Sequence, residues 1–418
     1  MSDVPTPSRP EDEPLVMIAA RRALRRARAE AATPEFGRLL FFQATGAAGD
    51  ALIALALAGS LFFSVPEATA RDRVALYLVL TVAPFAVVSP FLATFLDRHR
   101  AGLRAALVIS ALGRGTLAWW LSSRLDSLLL FPIAFGLLVF ARAALVVRGA
   151  ILPNLVPEGR TLVAANASLS KWAAVAGLLV GGPGLLLIRW PGVQTELLVA
   201  AAVYFLGTIP ALRIPAARGR RAAEERLGAR EKARAVTVRQ AIVATAGMRV
   251  LVGFLVLHLA FALRREDLGS LGLGVLVGSA AAGTLVGAVA SPRFRRRLKE
   301  EGIIVASLAI AGLTAIIVGT WFSVATAAVL VFAFGVASGA SKVAFDSIVQ
   351  RDTPEGARGW AFARFESVLQ VAWVAGALVP LALSIPAGPG VFAVGVVANA
   401  VSLVYTLGRA RMRSGRLA

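Results

Sequence analysis

The chain has no cysteine, only two histidines (His99 and His258), and few charged side chains, 16% of its 418 residues. The missing cysteines exclude disulfide scaffolds, iron–sulfur clusters and cysteine-based zinc sites or nucleophiles. Two histidines leave no basis for histidine-rich metal chemistry. Also lacking is a Gly-x-x-x-x-Gly-Lys-Ser/Thr loop for nucleotide phosphates, which argues against ATP as a driver. No enzyme chemistry, cofactor or metal is therefore expected. Acid is scarce as well, 24 Asp and Glu against 44 Lys and Arg, for a net charge of +20. What the chain has in excess is hydrocarbon: 57% of its residues are hydrophobic, beyond the range of soluble domains. Such a composition belongs in a membrane.

Residues 1–13 are rich in proline, serine and acid and read as disordered. The early apolar stretch 15–20 is too short for a signal peptide, and the arginines at 21–28 follow it instead of preceding it. Residues 14–32 read as a basic helix on the membrane surface or as a solvated tail.

Crossing the hydrocarbon takes about 20 apolar residues in a helix, and twelve segments qualify. They are 39–65, 74–96, 105–121, 127–147, 162–188, 194–212, 241–263, 268–290, 303–322, 324–348, 361–385 and 391–408. The fold class is all-α, in two pseudo-symmetric halves. A tail (1–38) precedes a six-helix half (39–212), a basic linker (213–240), a second six-helix half (241–408) and a short tail (409–418). Of the 44 basic residues, 33 fall on one side of the membrane, six on the other and five within spans. The six on the far side are balanced by Glu67, Asp72, Asp126, Glu196, Glu266 and Asp267. The bias of arginine and lysine toward the cytoplasm then places both termini there, in a multi-pass protein of the cytoplasmic (inner) membrane. The positive charge is a topology code, so no nucleic-acid partner is expected.

The halves also share a pattern. Phe135-Gly136, Pro157-Glu158-Gly159 and Val175-Ala176-Gly177 in the first recur as Phe334-Gly335, Pro354-Glu355-Gly356 and Val374-Ala375-Gly376 in the second. Two parallel six-helix repeats suit alternating access, with a site between them near the bilayer midplane.

The loop after the second span reads Asp97-Arg98-His99-Arg100-Ala101-Gly102-Leu103-Arg104. It resembles the Gly-x-x-x-Asp-Arg-x-Gly-Arg-Arg loop of the major facilitator superfamily, lacking its leading glycine. The resemblance covers residues 36–410 and implies that Asp97, Arg98, Gly102 and Arg104 form a gating latch. The equivalent loop of the second half, 292–297, keeps the basic residues and lacks the acid. In the fifth span Gly177-x-x-x-Gly181-Gly182-Pro183 is similar to the Gly-Pro motif of drug exporters in that superfamily. Glycines four apart permit close helix contact, and Pro183 removes a backbone donor. The segments 152–157 with Asn166, and Val349-Gln350-Arg351 with Pro354, resemble the bacterial macrolide-efflux and secretion-effector branch. In the fourth span Leu138 and Arg142 fit the exporter pattern Leu-x-x-x-Arg-x-x-Gln-Gly, but Leu145 and Val146 replace its Gln-Gly. The resemblance implies proton-coupled export of an amphiphilic small molecule by a monomer, with membrane lipids and protons as its other partners. A lipid or lysolipid flippase and a non-transporting scaffold are the alternatives.

A charge at mid-bilayer costs about 2.5 to 3.5 kcal/mol on insertion scales, so each one needs a partner or a function. The candidates for proton or substrate coupling are Asp50, Arg114, Arg142, Lys171, Arg249 and Lys342. Asp50 is the single acid deep in the first half. It reads either as a proton or substrate-cation site or as the partner of Arg114 or Lys171 in a static ion pair. Arg142 and Lys342 occupy nearly equivalent repeat positions and are expected to face a cavity from opposite halves, although Lys342 can also pair with Asp346. A net positive cavity suits an anionic or zwitterionic amphiphile. Asp346 and Glu366 read as latch or cap residues near the interface. Arg249 belongs either inside the seventh span or to an interfacial helix leading into it, and His258 reads as a helix-contact histidine.

Overall fold

The computed structural model describes residues 33–57, 102–125, 127, 129–190, 192–215, 236–265, 269–354, 357–383 and 385–414. Among them are eleven long helices: α1 (Pro34–Leu57), α2 (Gly102–Leu121), α3 (Leu130–Ile151), α4 (Leu162–Arg189), α5 (Val193–Leu212), α6 (Val236–Arg265), α7 (Gly269–Arg295), α8 (Glu300–Thr320), α9 (Val324–Asp352), α10 (Arg358–Ala382) and α11 (Ala387–Ser414). Ten are long and apolar enough to cross a membrane. The exception is α2, whose 20 residues include Arg104 and Arg114. The expected second span, 74–96, lies outside the described residues, as do the N-terminal tail and most of the linker.

The sequence explains where several helices begin. Thr161 caps α4 by accepting from the Ala164 amide, and Ser323 and Thr326 form a reciprocal capping box at the start of α9, satisfying amides that the first turn leaves bare. Gly192, at φ +121°, sets the turn into α5. The alternatives for Arg249 are also decided: α6 runs unbroken for 30 residues and contains it.

The helices pair in the same way in both halves. In the first, α1 packs on α4 and α5, and α2 on α3 and α5; in the second, α6 packs on α10 and α11, and α8 on α9 and α11. Without a hydrophobic gradient between lipid and side chain, such contacts depend on close backbone approach. The α7–α9 pair shows this: a Cβ on Gly283 or Gly287 would lie 2.2 or 2.0 Å from a carbonyl of α9, and one on Gly335 or Gly339 would lie 2.6 or 2.3 Å from a carbonyl of α7. Gly253 of α6 and Gly376 of α10 are locked in the same reciprocal manner: a Cβ on either would lie 1.9 Å from a carbonyl of the other helix.

Both described chain ends lie at one end of the bundle together with Arg213, Arg239, Arg293 to Arg297 and Arg351; this is the basic end. The largest apolar core crosses between the halves, and the first half contributes to it only from the basic end: the starts of α1, α2 and α4 and the ends of α3 and α5. Toward the far end the first half has its own core around Leu52, Leu121 and Tyr204. Among the described residues, the halves are joined at the basic end and apart at the far one.

Candidate functional site

Two groups of charged residues lie within this frame. The first is inside the first half. Asp50 of α1 accepts hydrogen bonds from Tyr204 Oη of α5 (2.7 Å) and from Arg114 Nη1 of α2 (3.3 Å). Arg114 is buried, and its guanidinium also sits 4.8 Å from the centre of the Tyr204 ring. Small residues make this possible: a Cβ on Gly46 would crowd the guanidinium at 3.3 Å, and one on Gly49 would enter the Tyr204 ring at 2.5 Å. The Asp50 side chain nonetheless remains 50% exposed. Of the two cations the sequence offered to Asp50, the structure pairs Arg114. Lys171 instead extends over its neighbour Trp172, 5.0 Å from the ring centre.

The second group lies between the halves, toward the basic end. Lys342 Nζ of α9 donates to Asp346 Oδ1 on its own helix and to Glu366 Oε1 of α10. Both acids are buried. Arg142 of α3 and Arg249 of α6 act electrostatically on Glu366, and Arg148 of α3 faces both acids with its Nε buried and unbonded. Four basic residues thus surround two acids. Arg142 and Lys342 do converge from opposite halves, and the group they share is Glu366. The expectation that Asp346 and Glu366 are latch or cap residues near the interface is corrected in part, because both are buried inside the bundle and bonded to Lys342. The four-residue spacing points to Asp346, but nothing in the sequence ties Lys342 to Glu366 on another helix.

Below this group the halves are clasped by hydrogen bonds. Asn166 Nδ2 of α4 donates to Gln350 Oε1 (2.7 Å) and Ser347 Oγ (3.3 Å) of α9, and Gln350 Nε2 donates to the Gly149 carbonyl of α3 (3.1 Å). Arg358 Nη1 of α10 donates to Asn154 Oδ1 (3.2 Å). Val163 and Ala167 of α4 pack with Ala288 and Val343 of the second half.

The expected latch lies partly out of view. Asp97 and Arg98 are outside the described residues, while Gly102 and Arg104 begin α2. In the second half the acid missing from the loop is supplied by the next helix. Arg295 Nε donates to Glu300 Oε1 (2.6 Å), and Arg351 bridges Glu300 Oε2 (2.9 Å) and Glu301 Oε1 (3.1 Å). Sequence reading passed over these acids, although a Glu-Glu pair directly after a basic loop was visible.

The glycine motif of α4 needs a correction. Gly177 makes only ordinary contact, its Cβ position 3.9 Å from Ala51, and a Cβ on Gly181 would meet nothing within 4 Å. Gly182 and Pro183 lie within α4 beside them, and Pro183 is exposed. The close approach comes one residue later, at Gly184.

A bundle of two helical halves, joined at one end and carrying buried charge between them, is the architecture of secondary transporters that work by alternating access. The chain belongs to the Major Facilitator Superfamily, which residues 39–377 match. It is 31% identical to an uncharacterized protein of Mycobacterium leprae over 378 residues, covering 79% of this chain and 64% of that protein. An uncharacterized protein of Mycobacterium tuberculosis is 30% identical over 372 residues, with 79% and 66% covered. The chain therefore spans about two thirds of the length of these relatives. Its fold is similar to that of the Major Facilitator Superfamily transporter FucP in the outward conformation (TM-score 0.68, 12% identity, 91% of this chain and 99% of that one). It is also similar to a bacterial homologue of the iron transporter ferroportin in an outward-facing state (TM-score 0.67, 16% identity, 89% and 99%).

Proposed function

We propose that this chain is a secondary active transporter of the cytoplasmic membrane, with both termini inside, that exports an amphiphilic small molecule with an anionic or zwitterionic head by proton antiport. The observation that carries the reading is the arrangement of the halves: joined by the Asn166–Gln350 clasp at the basic end and apart at the far end, with the Lys342 group just above the clasp. With the basic end in the cytoplasm, this is an outward-facing state. The excess of cations over acids around Lys342 gives an anionic head a place to bind. The apolar far half of α4, where Leu178 and Leu186 are exposed, offers hydrocarbon to its tail.

Asp50 is the proton site of this scheme. It is held by Tyr204 and Arg114 yet stays half exposed, and separation of α1 from either donor changes its surroundings. Each proton moved down 100 mV supplies about 2.3 kcal/mol, enough to drive export of a dilute substrate. The same cationic site and exposed apolar flank also favour a second reading, lysolipid movement from the bilayer.

Purified protein in liposomes separates these readings. Antiport predicts uptake of an anionic amphiphile that follows an imposed pH gradient and is lost in Asp50→Asn. Gradient-independent movement of a labelled lysolipid supports the second reading, and no substrate-dependent flux under any gradient contradicts both.

A further inference from the structure

The sequence placed Glu196 among acids of a far-side loop. The structure places it in the first turn of α5, fully buried, with neither carboxyl oxygen hydrogen-bonded. Its walls come from α1 and α4. A Cβ on Gly184 would lie 3.1 Å from Glu196 Oε1, 2.9 Å from Leu52 Cδ2 and 3.1 Å from Leu55 Cδ1. The glycine following Pro183 therefore leaves the room that the carboxyl occupies. On α5, Glu196, Ala200 and Tyr204 succeed one another four residues apart and share one face, which puts Glu196 about 12 Å along the helix from Tyr204. Tyr204 in turn donates to Asp50. The charged groups on the elements packed around this seam are Asp50 on α1, Arg114 on α2, Arg124 just past the end of α2, and Lys171 and Arg189 on α4. Among the described side chains none is bonded to Glu196. Arg114 is engaged by Asp50 and Lys171 lies over Trp172.

We propose that Glu196 is a proton-binding site on the far side of the bundle, the outer member of a two-carboxyl seam whose inner member is Asp50. An ionised carboxylate at this position would be an unpaired charge against leucine and glycine, whereas the neutral acid needs little more than the volume that Gly184 leaves. The step is a single proton transfer: a hydronium ion at the far end breaks one O–H bond to leave water, and one O–H bond forms on a carboxylate oxygen. The proton leaves from the same oxygen when α1, α4 and α5 loosen and water reaches the carboxyl. That the proton then serves export rests on the antiport reading above, while its binding at Glu196 does not.

The test is infrared difference spectroscopy of the full chain in liposomes through a pH step, in water and in deuterium oxide, alongside flux driven by a pH gradient. The expected result is a deuterium-sensitive protonated-carboxyl band that is absent in Glu196→Gln, present in Asp50→Asn, and shifted but retained in Glu196→Asp. Gradient-driven flux should fall at least about tenfold in Glu196→Gln, a change of about 1.4 kcal/mol in the barrier. The band alone decides whether Glu196 holds a proton, even if one variant folds poorly. A band unchanged in both Glu196 variants overturns the proposal. A wild-type protein without gradient-driven flux overturns antiport and leaves the band to decide the proton site. A band that behaves as expected beside undiminished flux in Glu196→Gln keeps the proton site and overturns its part in coupling.

Discussion

At the scale of single residues, charges inside this bundle are tolerable only in company. Lys342 is the cation bonded to both Asp346 and Glu366, and the two acids are buried. Lys342→Met should therefore cost about 3 to 5 kcal/mol, the usual penalty for leaving a buried charge without its partner, read as an earlier thermal transition in detergent. Adding Glu366→Gln should recover part of that loss, since it removes one of the two stranded acids. These sites differ in how visible they were beforehand. Asp50 and Arg114 stood out because charge is rare in apolar helices, and rarity alone directs attention to a pair. Tyr204 did not, because a tyrosine in a long apolar run has no spacing that reveals a hydroxyl aimed at Asp50. Glu196 was misplaced because it sits at a helix boundary. One turn in either direction separates a solvated loop acid from a fully buried one, and composition does not resolve one turn.

At the scale of helices, the glycine spacing showed which sequences permit close contact without showing which pairs make it. Gly177 and Gly181 have the four-residue spacing in α4, yet the close approaches are Gly283 and Gly287 against Gly335 and Gly339, and Gly253 against Gly376. The spacing is a property of one helix, and contact needs a second helix in the right state. Two outcomes follow from that distinction. Gly376→Ala should destabilise severely, because its new methyl would lie 1.9 Å from the Val250 carbonyl, and overpacking against backbone has no flexible neighbour to absorb it. Gly181→Leu should leave the melting temperature close to that of wild type, because its side chain enters open space here. If the far end closes over this face during transport, the same variant loses flux. Full flux in a stable Gly181→Leu protein would show that the face stays open throughout the cycle. The repeat was legible at this scale, since α1 with α4 and α6 with α10 pair as the two-half pattern implies.

At the scale of the whole molecule, part of the net charge of +20 gathers at one end of the bundle, at Arg213, Arg239, Arg293 to Arg297 and Arg351, and the halves share their largest apolar core at that end. On the alternating-access reading proposed above, the clasp sets the balance between states. Asn166→Leu removes its bonds to Gln350 and Ser347, and a buried amide left short of a partner costs about 1 to 3 kcal/mol. The loss falls only on the arrangement closed at the basic end, so the variant should populate the opposite arrangement more than wild type, seen as faster labelling of a cysteine introduced at Ser341. Because the chain has no cysteine of its own, every introduced thiol reports alone. The most direct test of alternating access is pulsed electron paramagnetic resonance on two spin-label pairs in liposomes: Leu186→Cys with Val277→Cys at the far end, and Glu158→Cys with Arg297→Cys at the basic end. Under alternating access, an imposed pH gradient or added substrate shortens the far-end distance and lengthens the basic-end distance in the same samples. Distances that stay fixed at both ends, or that change in the same sense, would contradict it.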